Sequence, residues 1–295
     1  MITVLLNPAA GLKHEEAMPE RLSDLFAQAG SPARIVLLGF GTDAAQEVRS
    51  AVHTGAAAVV AAGGDGTIRS VAAGLVGAHT PLGVLPLGTF NHFAKDLGIP
   101  LDLERAVGTI VALHHMSVDV GAVNDRIFVN NSSIGIYPDI VAAREDLRRQ
   151  GHRKWAAFAL ATGRILRQYR GVRVRLEVGT LTKTAVTPFL FVGNNEYQVE
   201  GIRLGSRARL DGGRLYAYLA PRLRGSDLPR LLALALTGRP MKNQGLESFA
   251  TVDLEVETPA MRTVRVALDG EVTFITAPLR YRILPRALRV IVPAR

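Results

Sequence analysis

Residues Gly63-Gly64-Asp65-Gly66-Thr67 carry the clearest chemical signal in the chain. An apolar run, Ala57 to Ala62, reads as a buried parallel strand. A stretch from Ile68 to Val76, with Ile68, Val71, Ala72 and Leu75 on one face, reads as a helix. Strand, glycine turn and helix start form the geometry in which backbone N–H groups and a helix N-terminus hold phosphate. Glycine allows close approach and the backbone angles of such turns. Asp65 is unusual there, because a carboxylate repels phosphate unless it meets a metal ion or a donor hydroxyl. That combination points to phosphoryl transfer rather than dinucleotide binding.

Other nucleotide and catalytic motifs are missing. No Gly-Lys-Ser/Thr follows the loop, so it is not a Walker A sequence. Gly39 and Gly41 begin a Gly-x-Gly-x-x-Gly spacing, but Ala44 ends it. There is no His-Glu-x-x-His and no Gly-x-Ser-x-Gly. Taken alone, the glycine loop could be a ligand-free turn. Two further loops argue against that. Pro86-Leu87-Gly88-Thr89-Phe90-Asn91 follows the apolar run Leu82 to Leu85, and Asn7-Pro8-Ala9-Ala10-Gly11 follows Ile2 to Leu6. Loops at the carboxyl ends of neighbouring parallel strands line one crevice. Thr89 and Asn91 could there contact phosphate or ribose.

The elements that must position these loops alternate along the first part of the chain. Strand-like runs at 2–6, 33–38, 57–62 and 82–85 are separated by helical patterns within 15–29, 43–54 and 68–77, with another over 103–113. Such alternation predicts a parallel sheet with helices on both faces. Near residue 120 the pattern changes. Val118–Val123 and Arg126–Asn131 flank Asn124-Asp125 as a hairpin, and strand-like runs follow at 172–178, 183–192, 214–219, 252–257 and 262–275. These predict an antiparallel sandwich, interrupted by a basic helix and by a helix near 227–236.

The three loops, together with Asn130-x-Ser132-x-x-Gly135, Gly193-Asn194-Asn195 and Asp269-Gly270-Glu271, resemble the diacylglycerol kinase catalytic-domain family. Bacterial lipid kinases and sphingosine kinases belong to it. The resemblance spans nearly the whole chain in order. The Gly-Gly-Asp-Gly-Thr loop is also shared with NAD kinases, whereas the Pro-Leu-Gly-Thr-x-Asn and Asp-Gly-Glu segments favour the lipid-kinase branch.

The resemblance implies a fold that is α/β plus all-β. A Rossmann-like three-layer α/β nucleotide-binding domain of the NAD kinase/diacylglycerol kinase type would occupy 1–120. An antiparallel β-sandwich that binds the lipid substrate would occupy 121–279, and the tail, 280–295, would pack back on the first domain. It implies an ATP-dependent kinase that phosphorylates a lipid hydroxyl, such as that of diacylglycerol, in the interdomain cleft. Asn7, Gly63, Gly64, Asp65, Gly66, Thr67, Gly88, Thr89 and Asn91 would bind ATP. Asp65 would act on the nucleotide or its Mg²⁺, and Glu271 would be the general base. Asp269-Gly270 between two alternating runs is also a plain hairpin signature. The two roles are compatible, because a hairpin tip can aim a carboxylate.

Two positions depart from the family pattern. Asn91-His92 stands where many relatives read Asn-Asp, so a carboxylate near the nucleotide is absent, and His92 reads as a structural substitute. Asp211, in Leu210-Asp211-Gly212-Gly213, falls near the family's structural Mg²⁺ ligand but shifted by one position. A simple turn between strands is the other reading of Asp211.

Composition sets outer bounds. The chain has 295 residues, 48% of them hydrophobic, enough for two domains. Having no cysteine excludes disulfides, thiolate metal sites and cysteine nucleophiles, and it fits a reducing cytoplasm. No apolar run approaches the ~20 residues of a membrane helix. The net charge is +9, concentrated between Arg144 and Arg175, where ten Lys/Arg face Glu145 and Asp146 around Trp155. A basic amphipathic stretch bearing Trp can dock on an anionic membrane surface, here the inner face. A solvated helix face is the alternative. No nucleic-acid motif accompanies the charge, and nucleic acid is not an expected partner. A homodimer is left open. Two other functions remain: a kinase of a soluble alcohol, NAD kinase-like, and a non-catalytic nucleotide- or lipid-binding regulator.

Overall fold

The computed structural model describes residues 1–10, 17–39, 42–136, 138, 171–179, 181–200, 203–220 and 247–294. Gly11, Gly41, Trp155, most of the basic stretch and the helix expected near 227–236 lie outside the described residues. The chain divides into two compact units.

The first unit comprises Met1–Val120, Arg209–Gly213 and Leu284–Arg295. Its elements alternate as the sequence predicts: β1 (Ile2–Leu6), α1 (Met18–Gln28), β2 (Ala33–Leu37), α2 (Ala44–His53), β3 (Ala58–Gly63), α3 (Asp65–Leu75), β4 (Leu82–Pro86), α4 (His92–Asp96) and α5 (Leu103–Val111). The strands pair in parallel in the order β2-β1-β3-β4. All of β1, β3 and β4 is buried, as befits strands covered on both faces. Helices supply the covers through apolar stripes: Leu22 and Phe26 of α1, Val48 and Ala51 of α2, and Ile68, Val71, Ala72 and Leu75 of α3.

Helix starts differ in a way that matters for the site. Asp43 caps α2 by accepting from Ala45 N at 2.9 Å, and Asp102 caps α5 by accepting from Arg105 N at 3.0 Å. At α3 the N-cap is Gly64, with no side-chain cap. Its first amides therefore lack the covering side chain that the other two helices have.

The second unit comprises Gly121–Ala208 and Arg214–Ile283. β5 (His115–Val123) and β6 (Arg126–Phe128) form the predicted hairpin around Asn124, at φ 51°. Then come β7 (Asn131–Gly135), β8 (Val172–Val178), β9 (Leu181–Thr187), β10 (Phe189–Asn194), β11 (Tyr197–Glu200), β12 (Arg203–Arg207), β13 (Leu215–Leu219), β14 (Glu247–Thr251), β15 (Asp253–Glu257), β16 (Thr263–Leu268), β17 (Glu271–Thr276) and β18 (Leu279–Ile291). One sheet is antiparallel in the order β14-β13-β10-β7-β16-β17, and an antiparallel run β18-β15-β8-β9 faces it. Inward residues of both, among them Ile134, Val192, Val266, Leu176, Val256 and Tyr281, share one core. The fold is thus a Rossmann-like α/β unit and an antiparallel β-sandwich. β18 is one continuous strand. Its start pairs with β15, and Val290 pairs with Leu82 of β4.

Candidate active site

The loops after β1, β3 and β4 are tied to one another in the first unit. Asn7 Nδ2 donates to Thr67 Oγ1 at 3.0 Å, which joins the first loop to the first turn of α3. Leu87 N donates to Gly63 O at 3.1 Å. Glycine is required where these segments meet. A Cβ on Gly63 would lie 2.5 Å from Thr67 Oγ1, and one on Gly88 would lie 2.5 Å from Gly64 Cα. Real Cβ atoms do not approach that closely, so the two loops touch through bare backbone.

Asn91 and Asp65 complete the arrangement. Asn91 adopts the left-handed conformation at φ 52°, which asparagine tolerates better than most residues. Its side chain folds back on its own loop, accepting from Gly88 N at 3.0 Å and donating to Gly88 O at 2.8 Å and Pro86 O at 3.2 Å. The Asp65 carboxylate reaches across to α4 and accepts from His92 N at 3.3 Å and Phe93 N at 3.2 Å. The sequence offered Asp65 only for nucleotide or metal work, yet it also caps a helix 27 residues away. Both bonds lie at the long end of the hydrogen-bond range. Thr89 is exposed at the tip of its loop. His92 holds the loop through its backbone, while its ring is exposed and stacks on Phe90 at 5.6 Å. The structure therefore gathers Asn7, Gly63, Gly64, Asp65, Gly66, Thr67, Gly88 and Asn91 around the start of α3.

Asp211 has a different setting. Its carboxylate takes a hydrogen bond from Arg209 Nε at 3.0 Å, which holds it below the usual carboxylate range. The neighbouring Asp119, fully buried, accepts from Gly213 N at 2.6 Å and Arg286 N at 2.8 Å. Asp119 so fastens β5, the 209–213 segment and β18 together. Among the described residues, no group of three or more His, Cys, Asp or Glu could hold a metal ion.

In the second unit, Glu271 is exposed and opens β17. It pairs with Leu268 across the two-residue turn Asp269-Gly270, both at positive φ, 49° and 86°. That is the backbone of a type I′ hairpin turn. Asp269 is buried, and its carboxylate accepts from Val129 N at 2.9 Å, Asn130 N at 2.7 Å and Asn131 N at 3.0 Å. Below them lies Arg207, 3% exposed. It donates to Val129 O at 2.8 Å, Asn194 O at 3.0 Å and Asn130 Oδ1 at 2.7 Å, and it packs on the Tyr197 ring at 5.3 Å. Asn194 adds a bond from Nδ2 to Val129 O at 2.9 Å. Ser132 Oγ meets Tyr281 OH at 3.0 Å, and burial pushes that phenol's pKa up. The Asn-x-Ser, Gly-Asn-Asn and Asp-Gly-Glu segments thus form one polar network.

The diacylglycerol kinase catalytic domain model matches residues 1–123, and the YegS C-terminal NAD kinase beta sandwich-like domain model matches residues 133–292. A Pseudomonas aeruginosa protein named "Probable lipid kinase YegS-like" is 33% identical over 259 residues, covering 85% of this chain and 82% of that protein. This chain belongs to the diacylglycerol kinase catalytic-domain family. A Staphylococcus aureus diacylglycerol kinase is 27% identical over 275 residues, covering 91% of this chain and 85% of its own. The crystal structure of a diacylglycerol kinase from Bacillus anthracis superposes with a TM-score of 0.70 at 18% identity, covering 99% of this chain and 96% of that one. That likeness concerns the fold. As a member of this kinase family, the chain is an ATP-dependent phosphotransferase acting on an alcohol group.

Two residues of this family member escape a reading of its sequence. Arg207 lies on β12, in a hairpin with β11 that no strand pattern marked, and one arginine among three, with Arg203 and Arg209, reads as surface charge. Asp119 sits inside a strand-like run, and its partners are 94 and 167 positions away. The one available signal for it is a charge in the middle of an apolar strand. Among the described residues, no helix is long and apolar enough to cross a membrane.

Proposed function

We propose that the chain transfers the γ-phosphate of ATP to a lipid hydroxyl, such as that of diacylglycerol. The observation that carries this reading is the uncapped start of α3 closed against Gly88 through bare backbone. Amides there, with the dipole of α3, suit phosphate oxygens. Asn7 keeps Thr67 in place, Asn91 shapes the Gly88 loop, and the exposed Thr89 offers a hydroxyl to the nucleotide.

In the proposed transfer, the acceptor oxygen forms a bond to the γ-phosphorus as the bond to the β–γ bridging oxygen breaks. ADP leaves, and the hydroxyl proton passes to Glu271. Positioning and charge neutralisation do most of the work in phosphoryl transfer, so this carboxylate need only stand where it receives the proton. For this, the α3 loop and the Glu271 turn must serve one reaction. Mg²⁺ travelling with ATP needs one or two carboxylates beside the phosphates, and Asp65, at the start of α3, would supply one. When bound, the ion offsets phosphate charge. A second, structural Mg²⁺ at Asp211 fits poorly, since Arg209 already occupies that carboxylate.

The lipid acceptor is supported by the named relatives and by the net charge of +9, which favours an anionic membrane surface. The test is transfer of γ-labelled phosphate from ATP, with Mg²⁺, into a total lipid extract in mixed micelles. A labelled lipid whose formation falls by about a hundredfold or more with Glu271→Gln is the expected result. Label in a water-soluble alcohol would favour a soluble-substrate kinase, and label nowhere would favour a regulator.

A further inference from the structure

The Glu271 turn is held from beneath by a buried cation. Asp269 opens the turn in the left-handed conformation that Asp-Gly favours in a type I′ turn. Its carboxylate anchors that turn by collecting the three successive amides of Val129, Asn130 and Asn131. Those amides can converge on one carboxylate only if the 129–131 backbone is itself fixed. Arg207 fixes it from the carbonyl side, through Val129 O and the Asn130 side chain, and ties it to Asn194 O of β10. A planar guanidinium presents its donors in a fixed fork, whereas an ammonium's three donors rotate on a flexible stem.

We propose that Arg207 is a positioning residue for phosphoryl transfer, acting through the 129–131 backbone and Asp269 to fix the direction in which Glu271 points. The proposal rests on Glu271 being the base. A burial of this kind is costly: an arginine removed from water, 3% exposed, must recover its hydration through its partners. A sandwich core could be closed with an apolar residue at that site. A guanidinium placed two contacts below the turn is explained by what the turn must do.

The test is a double-mutant cycle of Arg207→Lys with Glu271→Gln, read as kcat and KM in the labelled-lipid assay. Arg207→Lys keeps the charge and loses the fork. The expected single-variant result is a kcat lower by about ten- to a hundredfold, the cost of roughly an ångström of misplacement, with KM for ATP and lipid unchanged. The decisive expectation is non-additivity: in the Glu271→Gln background, Arg207→Lys should cost no more than about twofold further. A general loss of folding would instead multiply through the cycle. If Arg207→Lys fails to fold, Asp269→Asn interrupts the same linkage from the other side and replaces it in the cycle. Wild-type kcat in the Arg207 variant, or losses that multiply, would overturn the proposal while leaving Glu271 as the base. Wild-type turnover by Glu271→Gln alone would remove the base assignment, and this inference with it.

Discussion

Asp65 and Phe93 are joined by a hydrogen bond of 3.2 Å from the Phe93 amide to the Asp65 carboxylate. The residue that the proposed chemistry places beside ATP is also the residue that fastens α4 to α3. The two duties can be separated by substitution. Asp65→Asn keeps an oxygen that can accept from the α4 amides, whereas Asp65→Ala removes the cap altogether. Both should lose lipid phosphorylation by more than tenfold. The alanine variant should also lose about 1 kcal/mol of stability, the usual value of an N-cap, and the asparagine variant less. Turnover and thermal melts on the same preparations check this. Equal melting points with unequal turnover would contradict it.

Gly88 supplies the second prediction. A methyl group there meets Gly64 Cα at 2.5 Å and Asn91 Oδ1 at 2.8 Å, and one of these is backbone. Gly88→Ala should therefore push the two loops apart, at a cost of about 1–3 kcal/mol for overpacking. ATP affinity should fall by at least tenfold, seen as a reduced ATP-induced rise in melting temperature. Gly30→Ala is not a suitable control, since its φ of 73° introduces strain of its own. Gly108→Ala is suitable, because a Cβ there meets nothing within 4 Å.

Arg209 and Asp211 set a pH dependence. The Asp211 pKa is lowered in the folded state, chiefly by the hydrogen bond from Arg209. A carboxylate with a depressed folded pKa adds stability above its unfolded pKa, near 4, and that stability is lost as pH falls through the folded value. The melting temperature of Arg209→Ala should thus lie below wild type by a constant amount above about pH 5 and converge on it below about pH 4. The gap should be small, because the pair is solvent-exposed and screened. A gap that widens in acid would contradict the pairing.

Ser133 carries the one buried side-chain oxygen or nitrogen among the described residues that has no hydrogen-bond partner. It lies on β7 opposite Phe191 and Ala267. An unsatisfied buried hydroxyl costs about 1–3 kcal/mol, so Ser133→Ala should stabilise the protein by about 1 kcal/mol and raise its melting temperature by roughly 2–4 °C. A lower melting temperature would show that the hydroxyl is satisfied in solution.

The first unit was the more legible in sequence because its information is local. A buried strand, a glycine break and an amphipathic helix recur within some thirty residues, so the Gly63–Thr67 and Gly88–Asn91 loops could be placed at strand ends without knowing the rest. The change to antiparallel strands after β5 was legible from alternation. What stayed hidden depends on distant partners. Asp65 reads as a ligand because its amide donors, at His92 and Phe93, come from a five-residue helix too short to announce itself. Arg207 and Asp269 meet through residues near 130, and neither shows in sequence that it is buried. The turn and functional readings of Asp269-Gly270-Glu271 were compatible for the same reason: a I′ turn fixes the shape, but the carboxylate's burial under three amides comes from another strand.

The discontinuity of the first unit bears on how the polypeptide is made. β4 receives β18 through Val290, Gly77 N donates to Ala287 O at 2.8 Å, and Val292 N donates to His114 O at 2.8 Å. Ala287, Val290 and Val292 all follow the sandwich strands along the chain. A nascent chain stopped at residue 123 would hold the glycine loops but expose β4 as an open edge, a template for aberrant strand pairing. The nucleotide half therefore cannot mature co-translationally ahead of the sandwich. It waits for β18, and excising it at residue 123 would yield a fragment prone to aggregation rather than a minimal ATP-binding module.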